Sequence, residues 1–215
     1  GDIGCYTLGN AMPLDMVDTC LCMGAGITMA QGFHWTEPDS TCFAFVGDST
    51  FFASGMTGVV NAVYNEEDMI LCVLDNSTTA MTGHQPHPGT GKNMMGHIVD
   101  KVSIEKILEG MGVAKIVTVD PLDLEASIQA VKECTAVKGV KAIIFKSPCI
   151  AISKPQGKMQ VSSACIQCKK CIREIGCPAL ITLDGKVAID EGLCTGCDLC
   201  SQICPVNAIG GDGNE

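Results

Sequence analysis

The feature that most constrains this 215-residue chain is a duplicated run of cysteines near its C-terminal end. Eight of its fifteen cysteines lie between Cys165 and Cys204, and each run ends in a Cys-Pro pair. The second run is spaced C-x2-C-x2-C-x3-C-P, and the first differs only in its last gap, C-x2-C-x2-C-x5-C-P. Such close and regular spacing is typical of metal ligands rather than of core residues.

The spacing has a physical reason. Three thiolates on a tight loop can hold three corners of an iron–sulfur cubane, and the second run matches the bacterial ferredoxin pattern at every position. In two-cluster proteins of this pattern the fourth cysteine of each run ligates the other cluster. We therefore predict two [4Fe–4S] clusters with crossed fourth ligands. The first uses Cys165, Cys168, Cys171 and Cys204, and the second uses Cys177, Cys194, Cys197 and Cys200.

Zinc is the main alternative to an iron–sulfur cluster, because CxxC pairs often bind it. Two CxxCxxC runs with trailing Cys-Pro pairs are rare in zinc sites, so clusters are favoured. A secreted disulfide scaffold is disfavoured by the odd number of cysteines and the lack of a secretory signal, so we expect a cytoplasmic protein. Most of the remaining seven lie in apolar runs and are predicted to be small core residues, namely Cys5, Cys20, Cys22, Cys42, Cys72, Cys134 and Cys149, with Cys5 as the exception discussed below.

The rest of the chain predicts an α/β fold with a parallel sheet. Apolar runs predict strands at 41–46, 69–74, 114–119 and 140–145, and helical patterns fall at 16–32, 50–65, 103–111 and 121–137. We predict a domain at 1–146, a linker at 147–160 and a small α+β two-cluster ferredoxin-type domain at 161–215. In the last, Asp184-Gly185 marks a hairpin turn.

Charge and hydropathy exclude several partners. The net charge of 14 − 24 = −10 argues against nucleic acid and anionic lipid as main partners. No apolar run reaches the about 20 residues that a membrane-spanning helix needs. Three cations, Lys169, Lys170 and Arg173, follow the first cysteines. On sequence alone a solvated charged turn explains them better than docking of an acidic carrier.

Polar residues follow two successive predicted strands. Gly47-Asp48-Ser49 ends the first, and Asp75-Asn76 ends the second. Because parallel neighbouring strands end at the same edge of a sheet, Asp48 and Asn76 should face one crevice. With the carbonyl of Thr78 they would offer three hard oxygen ligands for Mg²⁺ and leave room for phosphate oxygens. The aperiodic segment 76–97 is long for a compact domain, and such loops are usually functional.

These motifs together resemble a known family. Gly47-Asp48-Ser49 with Asp75-Asn76 is similar to the GDG…N motif of thiamine diphosphate enzymes. The segments 79–85 (TAMTGHQ), 87–91 (HPGTG), 1–8 (GDIGCYTL) and 22–27 (CMGAGI) resemble 2-oxoacid:ferredoxin oxidoreductases, in particular alpha subunits of the indolepyruvate type. Ser49 departs from the general motif, which has glycine there.

The resemblance implies a set of cofactor residues. It implies thiamine diphosphate with Mg²⁺ at Asp48, Asn76 and the Thr78 carbonyl, and diphosphate contacts from Gly47 and Ser49. Cys5 would approach the thiazolium ring and Leu8 would support the bent cofactor, with ordinary strand-end packing as an equal alternative. His84 and His87 are candidate substrate-loop residues, the alternative being two solvated loop histidines.

The resemblance also implies an activity and partners. The expected reaction is oxidative decarboxylation of an aryl 2-oxoacid, indolepyruvate, to acyl-coenzyme A, with electrons passing through the clusters to ferredoxin. Pyruvate or another 2-oxoacid is the nearest alternative substrate, and a purely electron-transferring subunit is a different class of function. Expected partners are a smaller beta subunit and a pyrimidine-binding region that supplies the activating glutamate. Since that region is missing here, the chain resembles the C-terminal portion of a longer subunit, and by itself it is expected to be inactive.

Overall fold

A computed structural model describes residues 1–154 and 157–211 of the chain. The fold divides into two compact units. The first comprises Gly1–Leu8 and Val17–Cys149, and the second comprises Gly9–Met16 and the described residues from Ile150 onward. Boundaries between the units fall at Leu8–Gly9, Met16–Val17 and Cys149–Ile150, and the sequence did not predict the grouping of Gly9–Met16 with the second unit.

The first unit is built on a parallel sheet of four strands in the order β1-β2-β4-β3. The strands are β1 (Cys42–Gly47), β2 (Met69–Asp75), β3 (Lys115–Val119) and β4 (Val140–Lys146). Each lies within two residues of its predicted position. Apolar runs that are buried on both faces form such strands, and β2 is buried from Met69 to Val73. The α/β prediction is confirmed.

Helices cover both faces of this sheet. They are α1 (Ala25–Thr36), α2 (Asp48–Thr50), a π-helical turn (Phe51–Gly55), α3 (Met56–Tyr64), α4 (Ile104–Gly110) and α5 (Leu124–Thr135). Side chains cap two of them, since Ser103 accepts from the Lys106 N–H and Asp123 from the Ala126 N–H. Each cap satisfies an N–H that the helix leaves unpaired.

The helix predicted at 16–32 is wrong at both ends. It begins only at Ala25 and continues to Thr36. Gly24, at φ +88°, adopts the left-handed conformation that a helix interior excludes. The preceding segment is irregular, and Cys20 and Cys22 are exposed there, so their assignment to the core is also wrong.

Two apolar layers hold the sheet. Ile27, Val59 and Leu108 pack from α1, α3 and α4 on one face, while Ala130 and Cys134 of α5 pack on the other. Alternate residues of β2 supply both layers, because successive strand side chains point to opposite faces. Three predicted core cysteines, Cys42, Cys72 and Cys134, are indeed buried.

The second unit is made of short elements. They are β5 (Met159–Val161), α6 (Lys170–Ile175), β6 (Leu180–Leu183), β7 (Lys186–Ile189), α7 (Leu199–Gln202) and β8 (Ile209–Gly211). β5 pairs with β8, and β6 and β7 form the predicted hairpin, with positive φ angles at Asp184 and Gly185. The core of this unit contains cysteines among its buried residues, Cys171, Cys194 and Cys200.

None of the helices in the described part of the chain has the length and apolar character of a membrane-spanning segment.

Candidate functional site

The first group of candidate residues lies where β1 and β2 end side by side. Gly47 pairs with Leu74 in the parallel register, so Asp48 and Asp75 leave the sheet at the same edge. Asp48 is buried, with 2% of its surface exposed, and begins α2 directly after the strand. Asn76 is half-buried and Thr78 is buried. The structure thus brings the three proposed Mg²⁺ ligands to one edge of the sheet.

Three hydrogen bonds orient the Asp48 carboxylate. Its Oδ1 accepts from the Ser49 N–H at 2.7 Å, and its Oδ2 accepts from the Ser77 N–H at 2.8 Å. The Nε2 atom of His87 lies 3.1 Å from the same Oδ2. One carboxylate therefore ties together the end of β1, the turn after β2 and the loop that follows.

Both ring nitrogens of His87 have a hydrogen-bond partner. Its Nδ1 accepts from the Gly89 N–H at 3.2 Å, so the ring proton is on Nε2, which donates to Asp48. The ring packs against Phe52 with centroids 5.6 Å apart, and the side chain is 5% exposed. His84, by contrast, is exposed and has φ +60°. The two candidate loop histidines therefore have different surroundings.

A second buried carboxylate, Asp75, lies beside Asp48. Burial raises the pKa of Asp75, and the neighbouring Asp48 raises it further. Its Oδ1 accepts from the Ser77 N–H at 3.0 Å, and Lys146 Nζ lies 3.4 Å from its Oδ2. Two carboxylates at one strand edge create a local excess of negative charge, which a divalent cation would offset.

The loop after β2 folds back onto α2. Thr79 Oγ1 donates to Ser49 Oγ at 2.8 Å, and the Thr79 N–H donates to the Gln85 carbonyl at 3.1 Å. Asn76 Oδ1 accepts from the Thr78 N–H at 3.2 Å. Carboxylate, amide and carbonyl oxygens are the donor set that Mg²⁺ prefers. The residues present here therefore fit a magnesium–diphosphate group.

The N-terminal segment adds contacts that sequence reasoning missed. Tyr6 Oη accepts from the Gly47 N–H at 3.0 Å and donates to Asp2 Oδ2 at 3.1 Å. Asp2 is fully buried and also accepts from the Gly24 N–H at 2.7 Å. A side chain at Gly47 would place its Cβ 3.0 Å from the Tyr6 ring. A single aspartate in an apolar stretch carries no sequence signal for this role.

Cys5 and Leu8 lie in a 3-10 turn that begins at Cys5. Cys5 is exposed, and Leu8 is 75% exposed. Their roles beside a thiazolium ring stay predictions.

The first predicted set of cluster cysteines surrounds one cavity in the second unit. Cys165, Cys168 and Cys171 line it together with Cys204 of the other run. Ile166, Lys169, Val187, Pro205, Val206 and Ile209 complete the wall. The Ala208 N–H donates to Cys204 Sγ at 3.2 Å, a contact that would stabilise a thiolate there.

The second set is also brought together. The pKa of Cys200 is raised to about 12, chiefly by burial and further by the nearby Cys197, Cys177 and Cys194. The Met159 N–H donates to Cys194 Sγ at 3.3 Å. Each group thus contains a cysteine from the other run, which is the arrangement that crossed ligation needs.

Within residues 1–154 and 157–211, no three His, Cys, Asp or Glu side chains form a site for one metal ion.

The first unit matches a known protein family. Residues 2–145 match the family described as "Thiamine pyrophosphate enzyme, C-terminal TPP binding domain". The chain belongs to the thiamine pyrophosphate enzymes. Residues 187–210 match a 4Fe-4S binding domain, which covers the second cysteine run. This thiamine pyrophosphate enzyme chain therefore also carries an iron–sulfur binding motif.

Curated relatives confirm the resemblance that the motifs indicated. Indolepyruvate oxidoreductase subunit IorA of Archaeoglobus fulgidus is 41% identical over 215 residues, covering 97% of this chain and 34% of that protein. The protein of the same name from Thermococcus kodakarensis is 35% identical over 232 residues, covering 97% and 36%. This thiamine pyrophosphate enzyme chain thus spans about a third of the length of the relatives it matches.

A solved structure shows the same fold. The 2-oxoglutarate:ferredoxin oxidoreductase from Magnetococcus marinus aligns with a TM-score of 0.56 and 17% identity, over 63% of this chain and 48% of that one. At this identity the match supports the architecture alone.

Proposed function

We propose that this chain forms the diphosphate-binding and electron-carrying part of an enzyme that oxidatively decarboxylates an aryl 2-oxoacid such as indolepyruvate. The supporting observation is the buried Asp48 at the joined strand ends, in one chain with two groups of four cysteines. The name of the curated relatives supports the substrate.

The proposed reaction balances as follows. One 2-oxoacid carboxylate and one coenzyme A thiol give one acyl-coenzyme A, one CO₂, one proton and two electrons. Two ferredoxin molecules take up the electrons one at a time. Thiamine diphosphate, when bound, would supply the carbanion chemistry, and the protein would position it and remove the electrons.

Each described residue has a defined part in this proposal. Asp48, Asn76 and the Thr78 carbonyl would hold Mg²⁺, and Gly47 and Ser49 would contact the diphosphate. The hydrogen bonds from Ser49 and Ser77 fix the Asp48 carboxylate before any cation arrives. The pyrimidine-binding region with the activating glutamate and a smaller subunit would come from elsewhere in the complex.

Replacing Asp48 tests the thiamine site. In the purified whole complex, Asp48→Ala should weaken Mg²⁺-dependent thiamine diphosphate binding by at least about a hundredfold, because it removes the only charged ligand proposed for the metal. Titration calorimetry measures the affinity, and the cluster EPR signals should stay unchanged. Asp100→Ala, at an exposed loop position, is the control. Unaltered thiamine affinity in Asp48→Ala would favour a purely electron-transferring subunit.

Two substitutions test the number and ligation of the clusters. The anaerobic protein should contain about eight irons and eight sulfides. Cys204→Ser should alter the EPR signal of the cluster held by Cys165, Cys168 and Cys171, and Cys177→Ser should alter the other one. Stoichiometric zinc without sulfide, or the reverse pattern of damage, contradicts the assignment.

Substrate choice separates this proposal from its nearest alternative. The whole complex should reduce ferredoxin with a higher kcat/KM for indolepyruvate than for pyruvate. Equal or better use of pyruvate would assign the chain to an enzyme of another 2-oxoacid.

A further inference from the structure

The two groups of cluster cysteines differ in their distance from solvent. In the first group Cys168 is exposed, and Cys165 and Cys204 are half-buried. In the second group Cys194 and Cys200 are buried, and neither of the other two members is exposed. Electron tunnelling falls steeply with distance, so a carrier at the surface can approach the first cluster more closely.

Apolar side chains surround the exposed thiol. Ile166 is 62% exposed and Val206 is 37% exposed, and both line the cavity that the first group of cysteines surrounds. Pro205, also exposed, lies beside them. A small apolar centre next to charged residues is typical of protein–protein contacts.

The two segments that carry the cysteine runs have net charges of opposite sign. Residues 165–177 carry Lys169, Lys170 and Arg173 against one acidic residue, Glu174, which gives 3 − 1 = +2. Residues 190–204 carry Asp190, Glu191 and Asp198 and no Lys or Arg, which gives 0 − 3 = −3.

The position of the cations supports this difference. Arg173 is held at the first group, since its guanidinium donates to the Cys168 carbonyl at 3.0 Å. At the second group, Lys158 lies on the carbonyls of Glu191 and Cys194, which reduces the local charge there only to −3 + 1 = −2. The first group therefore forms a positive region on a chain whose net charge is −10.

We propose that this face docks an acidic one-electron carrier protein and that the first cluster is the exit for electrons. The exit face consists of Ile166, Lys169, Lys170, Arg173 and Val206. The inference rests on the two clusters of the proposed function and adds the place and polarity of carrier docking. Each encounter moves one electron from the reduced first cluster to the oxidised carrier, with no bond formed and no proton transferred. Opposite charges steer such encounters and raise their rate at low salt.

Charge reversal on the exit face tests the proposal without substrate. The whole complex is reduced with dithionite, freed of excess reductant and mixed in a stopped-flow instrument with oxidised flavodoxin, an acidic carrier whose flavin absorbance reports its reduction. For the Lys169→Glu/Lys170→Glu variant, the second-order rate constant at low salt should fall about tenfold or more, and its salt dependence should flatten.

Two matched variants and one counter-probe make the result specific. Lys132→Glu changes an exposed lysine of α5, and Glu191→Lys/Asp198→Lys changes the second group; both should stay within about twofold of the wild type. With basic cytochrome c in place of flavodoxin, the Lys169→Glu/Lys170→Glu variant should react faster. Unchanged EPR signals show that its clusters remain assembled.

The possible results distinguish the exit face from the proposed reaction. An unchanged flavodoxin rate in Lys169→Glu/Lys170→Glu overturns the exit face, and so does a parallel loss with both carriers. A larger effect of Glu191→Lys/Asp198→Lys would move the exit to the second group. A complex that passes electrons as expected but releases no CO₂ from any 2-oxoacid contradicts the proposed reaction and leaves the exit face standing.

The hydrogen bonds at Asp48 carry a second, independent inference. A carboxylate offers about four lone-pair sites. Two of them, on Oδ2, are occupied by the N–H groups of Ser77 and His87, and one on Oδ1 is occupied by the Ser49 N–H. A side-chain hydrogen bond with the neighbouring Asp75 also holds Asp48.

We infer that His87 is a positioning residue, which holds Oδ2 of Asp48 and so keeps the carboxylate in the orientation in which it would bind the cation. The hydrogen bond from the Gly89 N–H to Nδ1 and the packing on Phe52 keep the ring in place. Histidine–carboxylate contacts behind a metal ligand typically change metal affinity by about 10–100-fold when they are removed. This inference depends on the proposed magnesium site and names a further residue that supports it.

Two substitutions at His87 distinguish its donor from its bulk. His87→Leu removes the N–H, whereas His87→Gln retains an N–H donor of similar reach. In the whole complex, His87→Leu should weaken Mg²⁺ binding in the presence of thiamine diphosphate about tenfold, and His87→Gln should stay within about threefold of the wild type. Mn²⁺ binding followed by EPR gives the affinity without any turnover. His97→Leu, at an exposed histidine of the same loop, is the control.

Each result decides a separate point. Equal affinity in His87→Leu and the wild type overturns the role of His87. Equal weakening in His87→Leu and His87→Gln shows that the ring packing matters and the donor does not, which also overturns it. A wild type that binds no divalent cation contradicts the proposed function itself.

Discussion

The two units of this chain are each stabilised internally, and by different means. The first has a parallel sheet with apolar layers on both faces, and its buried cysteines are ordinary core residues. In the described part of the second unit, the main apolar cluster has eight buried residues, of which three are cysteines, and the strands have only three or four residues. A core of that size is marginal without an added constraint such as a metal. The first unit should therefore be stable through packing, and the second through its clusters.

Removal of iron should have the largest effect and tests this difference most directly. After anaerobic chelation, the amides of β5 to β8 should lose their protection from hydrogen exchange, because the thiolates no longer share a bound group. The amides of β1, β2 and β4 should keep it. Mass spectrometry of exchanged peptides measures both. The predicted ligand cysteines should become reactive to iodoacetamide while Cys72 and Cys134 stay unreactive. Equal loss of protection in both units would show that they are not stabilised separately.

Asp68→Asn should have an intermediate effect on stability, confined to the first unit. The Lys141 side chain is 3% exposed and pairs with Asp68, so the substitution leaves a buried ammonium without its counter-charge. The free energy of unfolding should fall by about 3 kcal/mol. Thermal unfolding of the first unit measures this, and Lys138→Ala, at the 96% exposed partner of the same aspartate, should cost less than about 1 kcal/mol.

The same ion pair predicts a pH dependence. Burial opposes ionisation of Asp68, but the hydrogen bonds from Lys141 and Lys138 outweigh it and lower its pKa below the ordinary 3.8. Because the folded-state pKa is the lower one, the stabilisation is complete above 3.8 and is lost as the pH falls through the lowered value. Acid unfolding of the wild type should therefore show this loss, and Asp68→Asn should not.

The smallest effect is expected at the helix caps. Ser103→Ala removes the side chain that accepts from the Lys106 N–H, and it should destabilise the first unit by about 1 kcal/mol. At α6 of the second unit, Lys169 precedes the helix in a left-handed conformation and makes no side-chain cap. Lys169→Ala should therefore leave the melting temperature of the cluster unit within about 1 °C. A larger change there would mean that the lysine has a structural role.

Local sequence pattern predicted most of the elements because their causes are local. Apolar runs such as 69–74 can be buried on both faces only as central strands, and Asp184-Gly185 supplies the two positive φ angles of a tight turn. The helix predicted at 16–32 failed because the apolar pattern there does not reveal the left-handed φ of Gly24.

The candidate site was predictable only in part. The motif Gly47-Asp48-Ser49 with Asn76 indicated a cation site, since strand ends in a parallel sheet lie together. The contact of His87 with Asp48 spans 39 residues, and that of Tyr6 with Gly47 spans 41. Contacts between such distant residues have no local signature, and the two candidate histidines, His84 and His87, looked alike in the sequence.

The sequence by itself determined the order of the strands along the chain, and its motifs indicated the family by resemblance. Strand order follows from periodicity, a property of neighbouring residues, and the membership of the two cysteine groups stays a prediction from spacing. Only the tertiary structure decided which histidine meets Asp48, which thiol reaches the surface and how charge is distributed around the two cluster sites. Those properties depend on how distant segments pack, because burial, hydrogen bonding and exposure are set by the folded chain as a whole.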